Sequence, residues 1–318
     1  MEYTHKPMVT SSPLTESRTS TVTQSTLFTE ATSTNKTGPI EPEYHTLLMA
    51  INCVVLVIGT ISLSLTMHIL NYSSTSSTSI AVLNLIFAHF IFLITVPFRI
   101  YYYVTNTWTL GHSWCKVVSS MIHIHMYMSF IFYVIILITR LLAFYNKGGQ
   151  LHCFQRIHAL LLSTVVWAVV LVMVPCIIHF YYGQNSTPNG STCFKFGTSI
   201  GYAAKLINYI ISIVIIVVAT VLTVLQAYVV WDLYKRHPMG CNLQQDFWAQ
   251  LKSLFFALIM VVSFIPYHIF RFYYLENIDV QNLNEVFLSL TTFNCLDMLN
   301  FMGRRNWYMC CLGKISCM

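Results

Sequence analysis

Up to about residue 43 the chain is polar, and from Thr46 it changes to long apolar runs separated by short polar breaks. Seven such runs occur, at approximately 46–70, 79–103, 113–144, 155–181, 200–233, 247–274 and 282–302. Each reaches the roughly 20 residues that a helix needs to cross about 30 Å of hydrocarbon. Backbone N–H and C=O groups cannot go unpaired in lipid, so the runs are predicted helical. The expected fold class is an all-α membrane protein, a seven-transmembrane-helix bundle. Its domains are a tail over 1–43, a membrane domain over 44–303 and a short end over 304–318.

Composition supports lipid as the solvent. Hydrophobic residues make up 56% of the 318 and charged residues 9%, against about a quarter charged in ordinary globular domains. The tail's Ser, Thr and Pro cannot bury enough apolar surface to offset ordering entropy, so it reads as disordered. The tail lacks the basic start and short apolar core of a signal peptide, and the first run is expected to act as an uncleaved insertion signal.

The basic loop residues Lys147, Arg156, Lys235, Arg236, Lys252, Arg304, Arg305 and Lys314 share the side of the C-terminus, which is therefore expected to be cytoplasmic. The N-terminus is then extracellular, at the plasma membrane. Glycosylation sequons at Asn35, Asn185 and Asn189 fall on that outer side, and the one at Asn71 falls inside.

Several function classes drop out. Lys and Arg total 17 against 11 Asp and Glu, but they form no stripe with aromatics, so nucleic acid is not an expected partner. The ten cysteines lack metal-site spacing, the closest being the adjacent Cys310 and Cys311, and no metal or cofactor is expected. Asp297 is read as the one clear buried acid, without a second carboxylate or His-x-x-His beside it, so no catalytic site is expected. The loops leave no room for a soluble enzyme module, and the seventh run has no lysine to bind retinal.

Polar and proline landmarks narrow the fold further. They are Asn84-Leu85-Ile86-Phe87-Ala88, Trp108 and Gly111 before Cys115, Arg140, Trp167 with Pro175, and Cys193. Phe264-Ile265-Pro266-Tyr267 and Asn294-Cys295-Leu296-Asp297 complete the set. In this order the chain resembles the rhodopsin-like (class A) G-protein-coupled receptors. His268 and Arg271 after Pro266-Tyr267, and Asp at 297, are similar to the purinergic-related branch. The runs His123 to Tyr127, Cys193 to Phe196 and Phe247 to Lys252 resemble orphan receptors of that branch.

The resemblance implies a cell-surface receptor whose partners are the lipid bilayer, an unknown extracellular ligand and a heterotrimeric G protein. It implies a Cys115–Cys193 disulfide across the top of span three. It implies coupling through Arg140, which lies 25 residues after Cys115, about 37 Å of helix; the alternative is a cation that merely snorkels to phosphate. Thr139 replaces the usual acid and Leu141 the usual Tyr, so a weaker inactive lock and basal signalling are expected.

Further departures follow. His89 stands where the family has the aspartate of a sodium site, with Ser129, Asn294 and Asp297 as neighbours. Either His89 pairs with Asp297, or it is an ordinary hydrogen-bonded interior histidine. Met298 and Phe301 replace the Pro and Tyr that end span seven, and losing the proline is expected to remove a kink. Phe264 replaces the toggle tryptophan beside the hinge Pro266.

A ligand pocket is expected from His123, Tyr267, His268 and Arg271, with Lys195, Lys205 and Arg99 adding positive field for an anionic nucleotide or acidic lipid. Arg271 alternatively meets lipid phosphate or Glu276, and the bland reading of His123, which the residues favour, is packing with one hydrogen bond. Most tyrosines near the interfaces read as an aromatic belt. Beyond span seven, Arg304 to Cys317 fits a short cytoplasmic eighth helix, with Cys310, Cys311 and Cys317 either acylated or free. The altered switch residues also leave open a non-signalling or ligand-independent modulator of other receptors or trafficking.

Overall fold

The computed structural model describes residues 41–70, 77–145, 152–181, 193–194, 201–236 and 245–301. Helices occupy nearly all of them: α1 (Glu41–Leu70), α2 (Ser77–Thr105), α3 (His112–Tyr145), α4 (His152–Tyr181), α5 (Tyr202–Arg236), α6 (Gln245–Glu276) and α7 (Gln281–Leu290). A 3-10 turn over Ile278–Val280 precedes α7, and a 3-10 segment over Thr291–Phe301 continues it. The first six helices are long and apolar enough to cross a membrane. The expected eighth helix and the Ser/Thr-rich tail lie outside the described residues.

The bundle is built around α3. Its Met126, Met128, Phe132, Tyr133, Ile136 and Leu137 are completely buried, and α2, α4, α5 and α6 all pack on it. α1 lies against α2, α7 and the 3-10 segment, and α5 lies along α6. Outward faces are apolar: Leu161, Val165, Val169 and Val172 on α4 and Val217, Val221 and Val224 on α5 are all exposed. So continuous an apolar surface is incompatible with water and matches lipid. Pro97, Pro175 and Pro266 sit inside α2, α4 and α6, positions tolerated where neighbouring helices re-satisfy the freed carbonyls.

The end of the bundle adds a feature that composition did not predict. Where Met298 stands in place of the proline, α7 is continued by a 3-10 helix over 11 residues, far beyond the usual run of about 3–4. Local side chains explain this: the Thr291 and Thr292 hydroxyls donate to Leu288 O and Ser289 O at 2.6 Å each, three residues back, and Cys295 Sγ does likewise to Thr292 O at 2.8 Å. From α1, Ser62 Oγ donates to Cys295 O (3.2 Å) and Thr66 Oγ1 to Met298 O (3.1 Å). These bonds occupy carbonyls that an α-helix would use internally.

On α2 and α4, Trp167 Nε1 donates to Asn84 Oδ1 (2.9 Å) and Asn84 Nδ2 to Ser163 Oγ (3.1 Å). This clamp sets the α2–α4 spacing. At the outer turn, Gly111 has φ +85°, a left-handed value suited to glycine. Its carbonyl accepts from Trp108 Nε1 at 2.7 Å and from Cys115 N at 3.2 Å, which fixes where α3 begins.

Candidate functional site

The start of α3 fixes Cys115, which is disulfide-bonded to Cys193. That bond lays Cys193 and Phe194 across the outer end of the bundle. Phe194 has φ +68°, uncommon for a bulky residue and a mark of local constraint. Its carbonyl accepts from Gln281 Nε2 at 3.3 Å. Its ring covers the Arg99 guanidinium at 4.5 Å, a cation–π contact in a desolvated place. Arg99 is fully buried there, with Nη2 3.1 Å from Glu285 Oε2.

Beside this cover lies a cavity of about 740 Å³, counting its open mouth. α3 contributes Ser119, His123 and Tyr127; α6 contributes Arg271 and Tyr274; α7 contributes Asn284 and Glu285. Val174, Ile177 and Ile178 of α4 face Ile207 and Ile211 of α5 across it. Arg271 donates through Nη1 to Asn284 Oδ1 (3.2 Å) and through Nη2 to Asn208 Oδ1 (3.1 Å). His123 Nδ1 donates to Ser119 O at 3.1 Å.

The predicted pocket set is thus divided. His123 and Arg271 line the cavity, and Lys195 lies outside the described residues. Arg99, Lys205, Tyr267 and His268 do not line it. Arg99 sits beneath Phe194, and Lys205 Nζ pairs with Glu276 Oε2 at 2.9 Å. Glu276 also accepts the Tyr209 hydroxyl, and Arg271 bonds to Asn208 and Asn284, not to Glu276, one of the alternatives the sequence left open. His268 is buried with Nδ1 3.1 Å from Ser212 Oγ, and Tyr267 is buried beside it. Glu285 was missed, because reading Asp297 as the one clear buried acid passed over a second carboxylate in the same run.

Deeper, the structure brings His89 and Asp297 together. His89 Nε2 is 3.3 Å from Asp297 Oδ1, close enough for charge attraction but not aligned as a hydrogen bond. His89 Nδ1 meets His125 Nε2 at 2.8 Å, and the His125 ring stacks on Phe92. Tyr133 donates its hydroxyl to Asp297 Oδ2 and also lies 3.1 Å from Asn294 O. Ser129 and Asn294 are buried nearby in sequence, with side-chain polar atoms that have no protein partner. A hard cation wants several oxygens, and here an imidazole nitrogen stands 3.3 Å from one oxygen of the carboxylate while the Tyr133 phenol donates to the other.

At the other end of α3, Arg140 Nη1 donates to Ser253 Oγ (3.0 Å) and, at the limit of reach, to Ala249 O of α6 (3.4 Å). Its guanidinium lies 5.6 Å from the Phe256 ring centroid. Thr139 turns its hydroxyl back to Ile135 O at 2.6 Å, and Leu141 is buried. Between the two ends, Phe264 is fully buried, edge-on to Phe130 and Tyr133. Pro266 lies one helical half-turn further out, within α6. Met298 is buried in the 3-10 segment, while the Phe301 side chain lies outside the described residues. So do the residues Asn35, Asn185, Asn189, Cys310, Cys311 and Cys317.

Comparison with known proteins agrees with this layout. Residues 46–302 match the model of the 7 transmembrane receptor (rhodopsin family). The chain is 37% identical over 287 residues to the human protein named "Probable G-protein coupled receptor 141", covering 87% of this chain and 94% of that one. It is 25% identical over 309 residues to "Probable G-protein coupled receptor 34" of Pan troglodytes, covering 90% of this chain and 79% of the relative. It is also 25% identical over 203 residues to "Cysteinyl leukotriene receptor 2" of Sus scrofa, covering 63% and 58%. With the helical bundle, the disulfide-tied outer cover and this match over most of its length, the chain belongs to the rhodopsin family of seven-transmembrane receptors, a family of non-enzymatic membrane receptors.

Proposed function

We propose that the protein is a cell-surface receptor that passes ligand binding, or its own basal activity, to a heterotrimeric G protein. In this reading residues 281–301 form the seventh crossing, the N-terminus is extracellular and the C-terminus cytoplasmic. The observation that carries it is the Arg140–Ser253 bond between α3 and α6. One hydroxyl-to-guanidinium bond is a lighter restraint than an adjacent carboxylate, and Thr139 is turned away to its own helix. Hydrogen bonds to charged groups are worth about 1.5–3 kcal/mol net, so the inner ends of α3 and α6 separate at modest cost and basal signalling follows. The ligand carries an anionic group, as nucleotides and acidic lipids do, and binds the outer cavity through Arg271; a lipid accords with the relative named for cysteinyl leukotrienes.

The test is ligand-free recruitment across a panel of G proteins at matched surface expression. Wild type is expected to signal, Arg140→Ala to abolish the signal, and Thr139→Asp to lower it. Equal signals from wild type and Arg140→Ala would refute coupling through this residue. Silence of wild type across the panel, with and without lipid or nucleotide agonists, would favour a non-signalling modulator, a reading to which the self-bonded Thr139 also lends itself.

A further inference from the structure

We infer that the outer cavity takes a single-chain amphiphile whose head carries both an acidic group and an amine, and that it is not a nucleotide site. The inference rests on the receptor reading above and names the ligand class for its cavity. Two opposite charges are built into one wall. Arg271 is held from both sides by Asn208 and Asn284, and Glu285 is the next residue along α7 after Asn284. Glu285 is anchored through Oε2 to the buried Arg99, so its carboxylate stays in place while it borders the cavity.

The donor and acceptor pattern separates the candidate heads. Among the described residues lining the cavity, Arg271 is the one arginine or lysine. Lys205, the other basic residue expected to help, is paired with Glu276. A polyphosphate would meet one guanidinium and a carboxylate in the same wall, and like-charge juxtaposition is strongly disfavoured at desolvated sites. An ammonium, in contrast, has acceptors waiting. Glu285 uses Oε2 for Arg99, and Oε1 remains for a second donor. His123 donates Nδ1–H to the Ser119 carbonyl, and a neutral imidazole so held presents Nε2 as an acceptor.

The remaining walls select a tail. Val174, Ile177 and Ile178 of α4 oppose Ile207 and Ile211 of α5. α4 packs on α2 and α3, whereas α5 packs on α6 and α3. The apolar part of the cavity therefore lies in the seam between two helices whose outer faces meet lipid. The head is held by Arg271 and Glu285, and one acyl chain runs along the α4–α5 seam.

The test uses purified full-length protein in nanodiscs and a matched pair of probes. They are oleoyl lysophosphatidylethanolamine and the same lipid with its amine acetylated, with ATP as the nucleotide arm. Wild type is expected to bind the free-amine lipid at least about tenfold more tightly than the acetylated one, the factor that one charge-assisted bond supplies. Arg271→Gln is expected to weaken both lipids by about tenfold or more. An Arg99→Gln/Glu285→Gln double variant removes both charges of this pair together and is expected to lose the preference for the amine.

Equal binding of the two lipids by wild type overturns the inference, whether or not any variant folds. So does ATP binding more tightly than the free-amine lipid. Selective binding without any G-protein response would leave this inference standing and overturn the receptor reading. Arg140-dependent basal signalling without selective binding would do the reverse.

Discussion

Tyr133→Phe isolates the buried carboxylate at the centre of the bundle. The change removes one hydroxyl and keeps the ring, whose neighbours Phe256 and Phe264 are aromatic. What is lost is a donor to Asp297 Oδ2, on a side chain with no solvent exposure. Hydrogen bonds to charged groups contribute about 1.5–3 kcal/mol, and a buried acceptor left unmade costs its desolvation. At roughly 2 °C per kcal/mol for a chain of this size, the midpoint falls by about 3–6 °C. The assay is thermal unfolding in nanodiscs, followed by tryptophan fluorescence. Asp297→Asn supplies the other corner of a double-mutant cycle, and removing the charge together with the hydroxyl is expected to recover much of the loss. The same samples titrated with sodium should not shift, whereas an ion at one hundred times its Kd would add about 2.7 kcal/mol. The reasoning fails if Tyr133→Phe costs less than about 0.5 kcal/mol, the level of an indifferent surface change, or if sodium raises the wild-type midpoint.

Two further outcomes are expected. Asn84→Ala breaks both bonds of the α2–α4 clamp and should cost about 1–3 kcal/mol, read as a lower unfolding midpoint; a Trp167→Phe change should then add little to it. Cys193→Ser opens a loop with a sequence separation of 78, nominally about 4–5 kcal/mol, so surface expression should fall sharply, and normal expression with intact ligand binding would contradict the bridging role of Phe194's segment.

Much of the scaffold was legible because lipid imposes a simple rule on length and apolarity. The helix ends fall within five residues of the apolar runs for α1 to α6: the first run from Thr46 lies within Glu41–Leu70 and the last from Phe247 within Gln245–Glu276. The end of span seven was not legible by that rule. Its geometry comes from Thr291, Thr292, Ser62 and Thr66, whose hydroxyls bond to backbone carbonyls, and composition does not say which carbonyl a hydroxyl will choose.

The site divides the same way. The proximity of His89 and Asp297 was one of two readings open in the sequence, because a missing aspartate opposite a retained one points at a pair. Tyr133 and His125 were hidden as ordinary members of an apolar helix. The positive field assigned to Arg99 and Lys205 counted cations without their acids: Glu285 and Glu276 sit against them. Among the tyrosines near the interfaces, Tyr102, Tyr103 and Tyr274 are buried, so they are exceptions to the belt read for most of them. Chain position gives depth in the membrane, but which face of a helix meets which neighbour depends on packing.

The 3-10 segment over Thr291–Phe301 carries one more consequence. Its 11 residues rise about 2.0 Å each, or about 22 Å, where an α-helix would rise about 16 Å. The segment is therefore a strut stretched by about a third and clipped to α1 at Cys295 and Met298. Releasing those clips to an α-helical winding would shorten it by about 5 Å, roughly one α-helical turn, and rotate Asp297 away from its partners. The chain thus changes pitch where α7 passes into this proline-free segment, with Ser62 and Thr66 holding the stretched form.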